Sequence, residues 1–369
     1  MRAHEVAIAI GGQQIGGWTE YSIETSMLTP ADAFTLTRPV DRLAWNACAL
    51  DSPVLVTIDA VPVLSGFVGE IEASASGGTM TVSGRCRVGR LVQESAPGIQ
   101  YGSLKRSDLV GKLAAPWFPK VVLSNARDRK LRRGRGVQAP APTEPLVIDN
   151  VSAGGRIEPG QARWKVIEEL VTQAGYLAWG AADGKELVVG LPNYQQEVQW
   201  AFVHDADRPG TVLELTQSES IEDAFSQIQV VGSGRGTDAD YGVGPSDRVG
   251  VVRDGPGPFG VGVDFLQAKR LVVVAQARTN EHAQRLARRE AARRNQQRRR
   301  LQVEARGHGQ IVRGARPTIF APDTLARCIY DRTGLDAVYL VTSCKYQGSR
   351  SGGARTSLSL VPRGTELTL

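Results

Sequence analysis

Cysteine is scarce in this sequence: Cys48, Cys86, Cys328 and Cys344 are the four among 369 residues, and no two stand in a C-x-x-C pair. A zinc knuckle or a disulfide framework needs tighter spacing, so reduced, buried thiols are expected. Histidine is equally sparse, and His4, His204, His282 and His308 fall into no H-E-x-x-H or comparable ligand spacing. A G-x-S-x-G elbow is missing too, which removes the nucleophile that such a turn presents. No apolar run approaches the ~18 residues of a membrane span. The first twenty residues alternate instead of forming the apolar stretch of a secretory signal, so a soluble chain made in a cytoplasm is expected.

Glycine is plentiful, at 41 of 369 residues against a usual share of ~7%. It follows no Gly-X-Y period, which leaves tight turns between short strands as its use. With 41% hydrophobic and 22% charged residues the composition is that of a globular protein, and the length suggests two or three domains. The formal net charge of +6 is unevenly spread. Nine arginines lie between Arg278 and Arg300, and a second basic cluster, KVVLSNARDRKLRRGRG, occupies 120–136. Such patches serve nucleic acid, an acidic protein partner, or a merely solvated face.

Along the chain, the first ninety residues read as β structure. Val6, Ile8 and Ile10 alternate with Ala7 and Ala9, and runs at 33–38, 54–59, 66–74 and 79–85 have strand length and β-branched character. Ser76-Gly77-Gly78 marks a hairpin turn, whereas Pro62 demotes its segment to an edge or a turn. Strands so spaced suggest a small barrel or sandwich. A short helix is predicted over 107–118, capped by Ser107 and stopped by Pro116. The polar stretch 124–145 reads as an exposed, disordered loop. A second helix is predicted over 162–174, its apolar face formed by Trp164, Ile167, Leu170 and Val171, and then a hairpin turning at Asp183-Gly184. β signals return from Gly210, interrupted by a glycine-rich stretch, 232–260, read as a long surface loop. The arginine-rich helix begins near Thr279 or Asn280, with Ala283, Leu286, Ala287 and Ala291 as a narrow apolar stripe. The tail, at 300–307, 325–331, 337–347 and 354–362, is β again, its last two runs joined at Ser351-Gly352-Gly353.

Little of this carries catalytic chemistry. Gly232-Ser233-Gly234-Arg235-Gly236 follows a strand, but no helix start or G-K-[ST] follows to bind phosphate. Glu168-Glu169 and Glu222-Asp223 are adjacent acids, and a glycosidase needs two carboxyls converging across a cleft. The arginine helix could grip phosphates, yet 278–300 holds no aromatic residue to stack on bases. Arg285, Arg288, Arg289, Arg293 and Arg294 are the candidate partner interface. No catalytic, cofactor or metal residue is predicted.

The segment from IEDAFSQIQVVGSG through RLVVVAQARTNEHAQRLARREAARRNQQRRRLQVEARGH to the C-terminal strands resembles the baseplate hub proteins of Mu-like contractile-tailed phages. The stretches that carry it are VVG at 230–232, AQRLARRE at 283–290, FAPDTLARC at 320–328, TSCKY at 342–346 and GARTSLSLVP at 353–362. The N-terminal VTIDAVPVLSGFVGEIEASASGGTMTVSGRCRVGRLVQESA is similar to a hairpin and turn of the same family. Phe320 stands where that family usually has Trp, Asp323 replaces Asn, and Cys86 replaces Asp. The resemblance implies a β-dominated α+β chain in which two small β-barrels form a trimeric pseudo-sixfold ring around an inserted α/β module. Its boundaries would be 1–95 for the first barrel, 96–200 for the insert, and 201–369 for the second barrel with the helix 279–300, the barrels exchanging segments. The implied function is a structural, non-enzymatic hub without cofactors, joining a sixfold tail tube to a threefold puncturing spike. Implied partners are two further copies, the trimeric spike, tail tube or distal tube proteins, the tape measure protein, the baseplate wedge, and DNA in passage. The implied place is the virion tail baseplate, assembled in the host bacterial cytoplasm. The alternatives are a peptidoglycan-cleaving hub enzyme and a nucleic-acid-binding module built on the arginine helix.

Overall fold

A computed structural model describes residues 4–98, 105–124, 157, 159–173, 176–204, 212–220, 222, 225–232, 248–253, 269–275, 280–310, 318–350, 352–365 and 367. The first elements are β1 (Val6–Ile10), β2 (Gln13–Ile15), β3 (Glu20–Ser26), β4 (Ala33–Pro39), α1 (Arg42–Ala47), β5 (Pro53–Ile58), β6 (Val61–Ser74), β7 (Thr79–Cys86) and α2 (Val88–Gln93). The middle of the chain forms α3 (Arg106–Ala114), β8 (Lys120–Ser124), α4 (Arg163–Gln173), β9 (Leu177–Gly180), β10 (Glu186–Gly190) and β11 (Val198–His204). Then come β12 (Val212–Glu219), β13 (Gln227–Gly232), β14 (Val249–Arg253), β15 (Arg270–Ala275), α5 (Asn280–Arg298) and β16 (Arg299–Arg306). The chain ends with β17 (Gly309–Gln310), β18 (Thr318–Ile319), β19 (Thr324–Tyr330), β20 (Leu335–Ser349) and β21 (Gly353–Pro362). The fold is thus α+β and β-dominated, as the strand runs predict.

Two compact units arise. Unit 1 is Met1–Thr216 with Leu301–Arg363 and Leu369, and unit 2 is Gln217–Arg300 with Gly364–Thr368. Unit 1 is organised by a 13-stranded sheet in the order β12-β16-β21-β20-β3-β4-β7-β6-β5-β1-β2, with β19 beside β20 and β11 beside β19. Two long strands give it shape. β20 pairs with β19 up to Val341 and with β3 from Ser343, changing partner at a bulge on its β21 side. β6 likewise passes from β5 to β7 near Gly66, with a bulge after Val68. A bulge adds local twist, so a strand that changes neighbours there bends the sheet. Among the described residues the strand order has three ends, at β12, β2 and β11.

The predicted apolar faces are the buried ones. Ile8, Ile10, Val54, Val56, Ile58, Val82, Leu358 and Leu360 all point into the core. Trp164, Ile167, Leu170 and Val171 of α4 pack there too, as do Leu109, Val110 and Leu113 of α3. These two helices accompany the three-stranded sheet β8-β10-β9, in which β8 and β10 are parallel. In unit 2, β14-β13-β15 form a sheet against which α5 lays Ala283, Ala287 and Leu286, the predicted stripe. Contact is close enough that a Cβ on Gly250 would overlap the backbone of Ala283.

Two local expectations are corrected and one holds. Helix α3 starts one residue earlier, with Lys105 at the N-cap, so Ser107 lies in the first turn and its hydroxyl contacts Asp108 at 3.4 Å. Pro62 sits in the part of β6 before Gly66, which pairs with β5 and not yet with β7, so the expected edge position holds. It is tolerated as the second residue of its strand, beside a bulge between Val56 and Thr57, where a missing N–H disturbs the ladder least. The stretch 232–260 is not all loop, because Val249–Arg253 pairs antiparallel with β13. The basic run at 120–136 opens with a strand, Lys120–Ser124. The loop predicted at 124–145 lies otherwise outside the described residues, as do 233–247 and 254–268.

Candidate functional site

The chemistry-bearing residues are used inside the fold. All four cysteines are free and buried, as expected, and burial pushes the thiols of Cys86 and Cys328 up to about 12. Among the described residues no group of three His, Cys, Asp or Glu side chains could hold a metal. Glu169 takes only long contacts, 3.4 Å, from Gln161.

His308 forms a buried polar centre in unit 1. Thr356 Oγ1 donates to the Gly307 carbonyl at 2.7 Å, so at 2.9 Å from His308 Nδ1 it accepts. Nε2 is then left to accept from the Tyr21 hydroxyl, 2.6 Å away, which makes the ring neutral. Burial, with His4 nearby, accordingly lowers its pKa to about 3. Burial raises Tyr21 to about 12, with Asp59 adding to the effect. Partial burial works against the Asp59 carboxylate, but the Glu5 amide and His4, bonded at 2.7 Å, hold it below the usual range. The first set of bonds ties β3 to β21, and His4, whose ring lies 5.2 Å from that of His308, brings the β5–β6 turn beside them, a structural use of histidine.

Of the candidate arginines, Arg288 is exposed. Arg293 and Arg294 both pair with Glu290, at 2.7 and 2.8 Å, and Arg294 also lies over Phe225. The side chains of Arg285 and Arg289 fall outside the described residues. That helical acid, at i−3 and i−4 of two arginines, was legible in the sequence and tempers the positive face.

Exposed large apolar residues gather in two places that the sequence reading missed. One is the unit 2 sheet, where Val249, Val272 and Val274 are open to solvent. The other is the β4–β5 connection: Leu43 is 84% exposed, Leu50 63%, Trp45 42% and Val40 41%. Helix α1 carries Leu43 and Trp45 outward because Asp41 caps it, accepting from the Ala44 amide at 2.7 Å, while Ala44 and Cys48 anchor it inward. Asp41 is itself held by Arg38 at 2.5 Å, leaving the exposed Arg42 free. Unit 1 also has a cleft of about 560 Å³ along β6, β7 and α2, lined by Leu50, Phe67, Glu70, Arg85 and Arg90 among others. There Arg90 pairs with Asp51 and stacks 4.8 Å over Phe67, whose edge meets Trp117.

The departures from the resembled family also find local reasons. Asp323 has φ +59°, a conformation that Asp tolerates as Asn does, and its carboxylate accepts the Asn193 amide at 2.8 Å. Phe320 is wedged between Trp200 and Phe202, with ring centroids 5.0 and 5.4 Å away. Cys86 Sγ takes the Asp32 amide at 3.2 Å.

Residues 5–87 match the family model described as Mu phage baseplate assembly protein GpP-like, N-terminal. No curated protein matches the chain. A tail protein from Neisseria meningitidis MC58 has the same fold, with a TM-score of 0.76 and 22% identity, over 99% of this chain and 98% of that one. The 43 kDa tail protein of prophage MuSo2 from Shewanella oneidensis gives a TM-score of 0.74 and 18% identity, over 98% and 99%. An E. coli protein described as a component of the type VI secretion system is similar at a TM-score of 0.53 and 12% identity, over 98% of this chain and 78% of that one. At these identities the likeness establishes a shared fold.

Proposed function

We propose that this chain is the structural hub of a contractile-tail baseplate, adapting a sixfold tube to a threefold spike. The observation that carries the reading is the baseplate-family match over residues 5–87. The tail-protein fold over nearly the whole chain supports it. Symmetry matching asks for surfaces, and the chain offers them: apolar side chains on α1, a cleft beside α2, and the open sheet of unit 2.

In this reading two barrel-like parts, 1–95 and 201–369, flank an α/β insert at 96–200, and three copies make the ring. The trimeric spike, tail tube or distal tube proteins, tape measure protein and wedge are its neighbours, with DNA only passing through. The protein resides in the virion tail after assembly in the host cytoplasm. Arg288 with Arg285, Arg289, Arg293 and Arg294 forms a contact for an acidic neighbour. The hub works without catalysis or cofactor.

Mass determination in solution tests this, on the full chain alone and mixed with its spike protein. A threefold assembly is expected in at least the mixture. A chain that stays monomeric in both defeats the proposal.

A further inference from the structure

We infer that two copies of this chain pair through strand β15, each completing the open edge of the other's unit 2 sheet in antiparallel, two-fold fashion. This pairing is independent of the hub reading. The sheet β14-β13-β15 has two edges, and the fold treats them differently. Gly232 donates to the Arg248 carbonyl at 2.8 Å, so by the alternation of an antiparallel ladder the backbone groups of Val249 and Val251 point away from β13. Helix α5 satisfies them. Gln284 closes on Val251 with both ends of its amide, accepting from the N–H at 2.9 Å and donating to the carbonyl at 2.8 Å. Asn280, one turn earlier, accepts from the Val249 N–H at 3.3 Å. The β14 edge is thus sealed by side-chain amides. Among the described residues β15 has only β13 beside it. Its sequence, RLVVVA, holds no proline, no bulge and no charge after Arg270 to blunt the edge, and Val272 and Val274 are 58% and 68% exposed.

One sealed and one open edge select a second copy as the occupant. An open strand templates further pairing unless the added strand ends the sheet, and a second β15 ends it because the far edge of its own sheet is sealed. Both strands are already ordered, so little chain entropy is lost on pairing. The side chains agree on one register. Gln229 and Val231 are left to bond β15, and in a parallel ladder they bond the neighbours of their partners, Leu271, Val273 and Ala275. The backbone groups of Val272 and Val274 therefore point outward. A pair centred on Val273 sets Val272 of each copy against Val274 of the other. It also holds the two Arg270 side chains about 20 Å apart, well beyond the ~8 Å over which salt screens a charge. Shifting the register by two residues would set Arg270 against Val274 instead. One patch is matched to itself, as a two-fold contact requires. The ladder is short, 271–275 on each side against the ~1,600 Å² of a standing interface, so it forms at high concentration or where several act together.

Charges placed at the two exposed valines test both the contact and its register. Sedimentation of the full chain at about 0.1 mM, without spike protein, is expected to give an even number of copies: two, or six where the threefold ring also forms. Val272→Lys with Val274→Lys sets like charges opposite each other and is expected to halve that mass. Val272→Glu with Val274→Glu is expected to do the same. An equimolar mixture of these two variants is expected to recover the wild-type mass, which also shows that both are folded. Val272→Lys with Val274→Glu on one chain brings opposite charges together in this register and is expected to keep the wild-type mass. A wild type of one or three copies, an unchanged mass in both like-charged variants, or a mixture that fails to recover it overturns the pairing. A wild type of two copies that never becomes six, even with the spike protein, counts against the hub reading alone.

Discussion

Proton balance at two buried side chains makes the fold sensitive to pH in opposite directions. His308, held neutral by Thr356 and Tyr21, has its pKa lowered by burial, and further by His4, from 6.5 to about 3. Between those values the unfolded chain binds a proton that the folded chain refuses, so stability is lost as the pH falls through the window. Asp32 does the reverse. Burial raises its carboxyl from 3.8 to about 7 against the Ser26 amide bond, with Glu24 adding to the rise. The folded chain then holds a proton that the unfolded chain has released, and stability is lost as the pH rises from about 4 to 7. Each slope is limited to ~1.4 kcal/mol per pH unit. His308→Gln is expected to cost about 1–3 kcal/mol at pH 8 by breaking the bonded centre, with the gap to wild type narrowing below pH 6.5. Asp32→Asn is expected to be more stable than wild type at pH 8 and to lose that advantage toward pH 4. Urea unfolding across pH 4 to 8 reads both, and gaps independent of pH would remove these groups from the account.

At the scale of elements, the Gly250 position decides whether β14 and α5 fit. Its Cα faces the backbone of Ala283, so Gly250→Ala must push helix and strand apart. Overpacking of this kind costs about 1–3 kcal/mol, and thermal unfolding of the variant is expected to show it. An unchanged melting profile would mean that α5 packs more loosely than the geometry says. The helix and its stripe were legible because Ala283, Leu286 and Ala287 recur at helical spacing among arginines. The strands at 54–59, 79–85 and 354–362 were legible through alternation, and their turns through glycine: Gly78, Gly184 and Gly353 all have positive φ. Partner choice was not. Nothing local in Glu20–Ser26 tells that it lies along Ser343–Ser349, because that pairing is fixed by long-range packing. The outward apolar face of α1 was illegible for a related reason. RLAWNA reads as an ordinary apolar helix, and only the tertiary fold shows that Ala44 turns inward while Leu43 and Trp45 turn out.

Across the whole molecule, the two units differ in what secures them. Unit 1 has a large apolar core in which β20 is paired on both sides from Tyr339 onward, to β21 and in turn to β19 and β3. Among the described residues, unit 2 clusters Val230, Ala283 and Ala287, with Val252, Val273 and Leu286 partly covered beside them, and Ile228 is buried as well. Buried apolar area stabilises by roughly 25 cal/mol per Å², while ordering a residue costs about 1–2 kcal/mol wherever it occurs. Among the described residues, so small and alanine-rich a cluster leaves a smaller margin than the unit 1 core. Opening of unit 2 by itself is then less costly than global unfolding, which is how partially independent folding units behave. Hydrogen exchange on the full chain is expected to show amides of β13 and α5 exchanging well before those of β20 and β3. Gly250→Ala is expected to widen that difference by accelerating unit 2 and leaving β20 unchanged. Equal acceleration in β20 would mean that the two units open as one, and the weak core of unit 2 would then not be what limits its stability.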